Sequence, residues 1–232
     1  MTAVAVIVPV HDEEDLLPAC LSSLADAVEA ASCAGVRVEV VVVLDACTDR
    51  SAAIAAEFDV VTVELSVTQV GAARRAGVVE ALRRLDALDA LDPVDVWIAN
   101  TDADSVVPAN WLTHQVALMR AGADVVLGTV RPDFADLAPA HVAHWLSTHH
   151  RGRPPGNTHG ANLGVRASVY GAAGGFSETP EHEDVRLVDA ARALGAVVVA
   201  SDGAEVMTSG RFEGRTPGGY AAFVRATAQQ LA

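Results

Sequence analysis

Ala3-Val4-Ala5-Val6-Ile7-Val8-Pro9-Val10-His11-Asp12-Glu13-Glu14 is an aliphatic run that stops abruptly on polar and acidic residues. With no polar residue alternating through it, the run reads as a β-strand buried on both faces. The next residues carry a helical period, with Leu16, Leu17, Cys20, Leu21, Leu24 and Val28 on one face and Pro18 in the first turns. The two periods then alternate. Strands are expected over 36–44, 60–65 and 94–99, and helices over 48–57 and 69–85. This βαβαβαβ order predicts a single α/β domain with a Rossmann-like, mostly parallel central sheet flanked by helices. Past residue 104 the rhythm loosens into a helix over 108–121, a strand over 123–130 and a helical stretch over 141–146. A Gly-rich turn at 171–175, a helix over 183–194, a short strand over 196–200 and a terminal helix over 218–231 complete the reading. No repeat or low-complexity linker divides the chain, so 1–232 is read as one domain.

The composition excludes several chemistries. Sixteen Lys+Arg stand against 30 Asp+Glu in 232 residues, for a formal charge of −14, and all sixteen cations are arginine. An acidic field of this size repels nucleic acid and anionic membranes, so neither is an expected partner. Without lysine there is no Walker-type phosphate loop, no kinase strand lysine and no amine for Schiff-base or pyridoxal chemistry. Cys20, Cys33 and Cys47 are odd in number and lack metal-ligand spacing, which fits thiols in a reducing compartment. The apolar N-terminus has no basic region and reads as a strand, not a signal peptide. No apolar stretch approaches the roughly 18 residues of a membrane span. The expected location is cytoplasmic.

Ligands of open parallel sheets bind beyond the carboxyl ends of the strands. Here those ends read His11-Asp12-Glu13, Asp45-Ala46-Cys47-Thr48-Asp49 and Asp102-Ala103-Asp104, three acidic clusters directed at one rim. Asp102 and Asp104, one residue apart past a buried strand, can offer oxygens to one hard cation, Mg²⁺ or Mn²⁺. Taken alone, an Asp-x-Asp pair is also what chance gives in an acidic chain.

The motifs, taken in order, resemble the family 2 inverting glycosyltransferases with the GT-A fold, from about Val4 to Leu194. Pro9-Val10-His11-Asp12-Glu13 is similar to that family's Pro-x-Tyr-Asn-Glu, with His and Asp at the Tyr and Asn positions. Leu44-Asp45-Ala46-Cys47-Thr48-Asp49 resembles Asp-Asp-Gly-Ser-Thr-Asp, with Leu44 in place of the first acid. Gly71-Ala72-Ala73-Arg74-Arg75-Ala76-Gly77 resembles Gly-x-x-x-Arg-Asn-x-Gly, with Arg75 for Asn. Asp102-Ala103-Asp104 matches the metal motif, and Gly160-Ala161-Asn162-Leu163 with Gly174-Gly175-Phe176 resembles the acceptor segment. Glu183-Asp184 looks like the family's Glu-Asp pair.

The resemblance implies a GT-A domain with a nucleotide-binding half over about 1–104 and an acceptor-binding half over about 105–232. It implies a nucleoside-diphosphate sugar donor, UDP- or GDP-linked, and an acceptor bearing a hydroxyl. Pro9, His11 and Glu13 would border the nucleoside and Asp45 would accept a hydrogen bond from the base. Arg74 would face the diphosphate or base, with Arg211 closing from the loop that also holds Arg215. Asp102 would sit near ribose and metal, and Asp104 would coordinate the cation. Gly160, Ala161, Asn162 and His182 would line the acceptor. Asp184 would be the general base, with Glu183 orienting the acceptor.

Alternatives stay open on the residues themselves. Asp102 after a strand also fits the nucleophile of a haloacid-dehalogenase-type phosphohydrolase, although three strands precede it here. A nucleotidyltransferase or a non-catalytic nucleotide-sugar binder would share the layout. His141, His144, His149, His150 and His159 match no zinc spacing well and read as acceptor-pocket or surface residues, and Arg186 stands where His-Glu-x-x-His needs its second histidine. Trp111, Trp145 and Phe176 fit either core packing or a sugar-stacking face.

Overall fold

A computed structural model describes residues 2–89, 92–179, 181–214 and 220–231. Strand β1 (Ala3–Val10) leads through α1 (Leu17–Cys33) to β2 (Arg37–Asp45). Then follow α2 (Ser51–Ala55), β3 (Val61–Leu65), α3 (Val70–Asp89) and β4 (Val96–Asn100). The second half runs β5 (Ser105–Val106), α4 (Trp111–Arg120), β6 (Val125–Pro132), α5 (Pro139–Thr148), β7 (Leu163–Arg166), α6 (Ala167–Ala172), α7 (Glu183–Ala193), β8 (Val198–Thr208) and α8 (Tyr220–Leu231). All eight strands form one sheet in the order β3-β2-β1-β4-β7-β6-β8-β5. The β1–β2, β1–β4, β2–β3 and β6–β8 pairs are parallel, whereas β7 runs antiparallel to both its neighbours and β5 antiparallel to β8.

The central strands are continuous apolar runs because helices cover both faces. Val4, Val6, Val8 and Val10 of β1 point to the side of α1, α2 and α4. Ala3, Ala5 and Ile7 point to the side of α3, α6 and α7. Gly77 lets α3 approach the sheet closely, since a Cβ there would lie 2.7 Å from Ile7 and 2.9 Å from Val43.

Two elements differ from expectation. β8 extends to Thr208 well past residue 200, and its tail alternates buried Ala204, Val206 and Thr208 with half-buried neighbours, the period-two pattern of a strand with one covered face. Helix α6 takes in Gly171 and Ala172 at the start of the expected glycine turn, whose remainder has Gly174 and Gly175 at positive φ. The expected start of the terminal helix at 218 and the Arg215 position lie outside the described residues. Among the described residues no helix is long and apolar enough to cross a membrane.

Candidate active site

The β1 and β2 ends are fastened to each other before they meet any ligand. Asp12, at a left-handed φ of 50°, accepts the Thr48 N–H at 2.6 Å and the Asp49 N–H at 3.2 Å. The His11 ring nitrogen Nδ1 lies 2.6 Å from the Asp45 carbonyl oxygen, and Pro9 pairs with Val43 in the β1–β2 register, half-buried beneath this corner. Asp12, Cys47 and Asp49 bring three ligand-type atoms within 4.8 Å of one another. Their hydrogen bonds already account for the grouping: Asp12 holds the 48–49 loop, Asp49 accepts the N–H groups of Glu14 and Ser51, and the Cys47 thiol donates to the Val10 carbonyl.

Asp45, the expected base contact, serves the fold as a loop anchor. It is 3 % exposed, and its carboxylate accepts the N–H of Val67 at 2.8 Å, Thr68 at 2.9 Å and Gln69 at 2.8 Å. Thr68 has a φ of 55°, so the chain turns sharply here, and the strand-end carboxylate gathers the three amides that open α3.

Arg74 lies at the centre of the site and is only 2 % exposed. Its Nη2 donates to Asp102 Oδ1, and its Nε donates to Glu183 Oε1 at 3.1 Å. One guanidinium therefore joins the end of β4 to the start of α7, whose Glu183 lies 109 residues beyond Arg74 in the chain. Burial opposes the Arg74 charge, but Asp102, Glu183 and Asp184 more than offset it and hold its pKa above the ordinary value. Burial raises the Glu183 pKa in turn, against the pull of Arg74. The Arg74 Nη1 is buried with no hydrogen-bond partner among the described residues, a donor left for an oxygen that the chain does not supply.

On the other side of Asp102 lies a second cluster. Arg211 makes a two-pronged pair with Glu13 at 2.7 and 3.0 Å, and its Nη2 is 2.9 Å from Asp104 Oδ2. Asp104 Oδ1 accepts the Thr208 hydroxyl at 3.2 Å. Burial, reinforced by the charge of Asp102, pushes the Asp104 pKa up to about 6 even with Arg211 beside it. Carboxylates crowded this way favour a further cation, and an all-oxygen donor set suits Mg²⁺ or Mn²⁺. The residues present therefore fit such an ion.

On the acceptor side the residues divide. Gly160 touches Arg74: a Cβ would stand 2.4 Å from Nη2. Ala161 is 6 % exposed and Asn162 2 % exposed. Asn162 accepts from Trp111 Nε1 and Gln115 Nε2 and donates to the carbonyls of Thr129 and Ala204. All of its bonding capacity is used inside the fold. Asn162, expected to line the acceptor, acts as a bracket between α4, β6 and β8, with buried Ala161 beside it. His182 is exposed at a φ of 60° and precedes α7. Asp184, in the first turn of that helix, is half-buried and accepts the Val185 N–H at 2.8 Å.

Trp111 is thus a core residue, as is Phe176, whose ring lies 5.9 Å from the Arg74 guanidinium carbon. Trp145 is not. It stacks on His149 with ring centres 4.2 Å apart, on a helix beside α8. The sequence reading placed His141, His144, His149 and His159, the residue before Gly160, in the acceptor pocket or on the surface, and left Trp145 between core packing and a sugar-stacking face. The available signal was the helical spacing of His141, His144, Trp145 and Thr148.

The family model for glycosyl transferase family 2 matches residues 5–176, well over half of the chain, so the chain belongs to that family. Its fold is similar to that of solved GT-A enzymes. S. aureus TarS 1-349, solved in complex with UDP, superposes with a TM-score of 0.62 at 18 % identity, covering 90 % of this chain and 61 % of that one. Mannosyltransferase PcManGT from Pyrobaculum calidifontis, in complex with GDP-Man and Mn²⁺, gives 0.61 at 20 % identity, with 99 % and 61 % covered. Glucosyl-3-phosphoglycerate synthase from Mycobacterium tuberculosis, in complex with Mn²⁺, UDP and phosphoglyceric acid, gives 0.59 at 17 % identity, with 99 % and 78 % covered. The chain spans about three fifths of the length of the first two. No curated protein matches it.

Proposed function

We propose that the chain is a metal-dependent, inverting glycosyltransferase that moves a hexosyl group from a UDP- or GDP-linked sugar to an acceptor hydroxyl. The observation that carries this reading is the Arg74 bridge. It draws together Asp102, from the half assigned to the donor, and Glu183, the neighbour of the candidate base Asp184, from the half assigned to the acceptor. Family membership decides against the phosphohydrolase alternative.

The chemistry is one displacement. The acceptor oxygen forms a bond to the anomeric carbon as the bond from that carbon to the diphosphate oxygen breaks, its electron pair leaving with the nucleoside diphosphate. The acceptor proton passes to the Asp184 carboxylate, a general-base contribution of typically ~10²–10⁴ in rate. Glu183, tied to Arg74, fixes the start of α7 and so the position of Asp184. Asp102 and Asp104 would hold Mn²⁺ or Mg²⁺, which supplies charge neutralisation for the leaving diphosphate. The unpartnered Arg74 Nη1 is a donor suited to a phosphate or sugar oxygen. Pro9, His11 and Glu13 shape the nucleoside side. A cytoplasmic location is part of the same proposal.

A panel of UDP-, GDP- and dTDP-sugars, each with and without Mn²⁺, tests it by thermal shift. One sugar nucleotide should stabilise the chain only with the metal, by about 2.7 kcal/mol at a hundredfold excess over its Kd. Asp184→Asn should keep that stabilisation and lose transfer. Unchanged transfer in this variant would remove Asp184 as the base, and stabilisation without turnover towards any hydroxyl would identify a non-catalytic binder.

A further inference from the structure

The segment 209–214, which follows β8, is held to the acidic rim by one side chain. At its root the Ser209 N–H donates to the Asp104 carbonyl at 3.1 Å and the Gly210 N–H to Asp136 Oδ2 at 2.8 Å. Gly210 fits there because it has no side chain, since a Cβ would stand 2.9 Å from the Asp133 carbonyl oxygen and 2.9 Å from the Asp136 Cβ. Residues 212–214 are exposed, and the Phe212 ring meets His141 edge-on at 6.0 Å. The firm hold on this stretch is Arg211. Both Glu13 oxygens accept from its guanidinium, at 2.7 and 3.0 Å, and its Nη2 lies 2.9 Å from Asp104 Oδ2. The other Asp104 oxygen accepts the Thr208 hydroxyl.

Arg211 therefore fills the position of a cation at Asp104. Burial opposes its charge, but Glu13, Asp104 and Asp102 more than offset it. A guanidinium keeps its proton throughout the physiological range, so losing charge is no way for it to leave. If it swung away unreplaced, Glu13 and Asp104 would be left beside Asp102 without the cation that pairs them, and like charges in a largely buried site repel strongly. A second cation that takes Asp104 Oδ2 removes that cost and repels Arg211 at the same time.

We propose that 209–214 is a strap latched by Arg211, and that a divalent ion opens it by exchange: Mn²⁺ or Mg²⁺ takes the Asp104 carboxylate, and Arg211 releases both acids. The proposal rests on the metal-dependent reading above and adds how the ion gains its place. Two consequences follow from the geometry. The ion's apparent affinity is reduced to the extent that the latch is closed, because only the open chain offers Asp104 Oδ2. Release also uncovers the Glu13 carboxylate at the end of β1, on the side proposed for the nucleoside, so ion uptake clears the donor site.

Trypsin reads the latch directly, because cutting the Arg211–Phe212 bond requires the same guanidinium to enter the protease's specificity pocket. The full chain is digested briefly in EDTA or in saturating Mn²⁺, and the cut at 211 is followed by mass. Mn²⁺ should speed that cut about tenfold, in proportion to the open population, while cuts before residue 200 should not accelerate. Glu13→Gln puts a neutral amide in place of the two-pronged pair. Arg211→Lys keeps the charge and the trypsin site but cannot form that pair. Each should be cut at 211 faster than the parent already in EDTA. Asp104→Asn weakens the hold on the ion and should lose the response to Mn²⁺. Calorimetry on the same samples records Mn²⁺ binding independently of cleavage. Mn²⁺ binding that leaves the 211 cut unchanged or slower would overturn the latch and leave metal dependence standing. So would Glu13→Gln and Arg211→Lys chains cut no faster than the parent in EDTA. No Mn²⁺ binding, with or without a sugar nucleotide, sinks the metal-dependent reading and the latch with it.

Discussion

Gly160 illustrates how one missing methyl group holds the site together. Arg74 is pinned at two nitrogens and fully buried, so it has little room to yield to a Cβ standing 2.4 Å from Nη2. Gly160→Ala should therefore break the bridge between Asp102 and Glu183. The expected cost is about 1–3 kcal/mol of stability, measured by urea unfolding, with a fall in transfer. His159 makes a second prediction. Burial lowers its pKa, against the charges of Asp184 and Asp102, so the folded chain resists protonation more than the unfolded chain does. Below an ordinary histidine pKa of about 6.5 the unfolded state gains the extra proton, and the His159 contribution to stability falls as pH drops through that value. His159→Gln should lose less melting temperature than the parent between about pH 7.5 and about pH 5.5. An equal loss in both proteins would refute it. Arg74, Asp102 and Glu183 were legible as site residues because each sits in a motif. That they bond to one another was not, because the ion pair spans 109 residues of chain.

Among the elements, the β2–β3–α3 corner shows how a strand-end carboxylate also serves the fold. Asp45 stands at a strand's carboxyl end, the place where ligand groups collect, and nothing local distinguishes it from one. Only the return of the chain at 67–69 puts three amides on its carboxylate. Asp45→Ala leaves those part-buried amides without their acceptor and should cost about 1 kcal/mol or more in denaturant unfolding. Asn162 follows the same logic, since its partners come from α4, β6 and the far strand β8. Strands β1 and β4 were legible because burial on both faces writes itself as a nearly unbroken apolar run. β8 was read too short because Ser201, Asp202 and Gly203 interrupt the apolar pattern while the pairing with β6 continues across a bulge.

For the molecule as a whole, the charge of −14 concentrates into a local question of which cation meets the acidic rim. In this structure Arg211 meets it, holding Glu13 and standing 2.9 Å from Asp104. A divalent ion at Asp104 competes for the same oxygen. Arg211→Ala should therefore bind Mn²⁺ more tightly in the absence of nucleotide, as read by calorimetry, because a competing positive charge is gone. Weaker Mn²⁺ binding in that variant would mean that Arg211 supports the ion instead. Periodicity and strand-end chemistry depend on residues close together in the chain, so the alternating α/β order, the acidic rim and the lysine-free chemistry could be read directly from the sequence. The Arg74 bridge and the bonds that anchor Asp45 and Asn162 within the fold were decided only by tertiary structure. Each is a contact between distant segments, and such contacts exist only once the sheet has set which strand ends and which helices become neighbours.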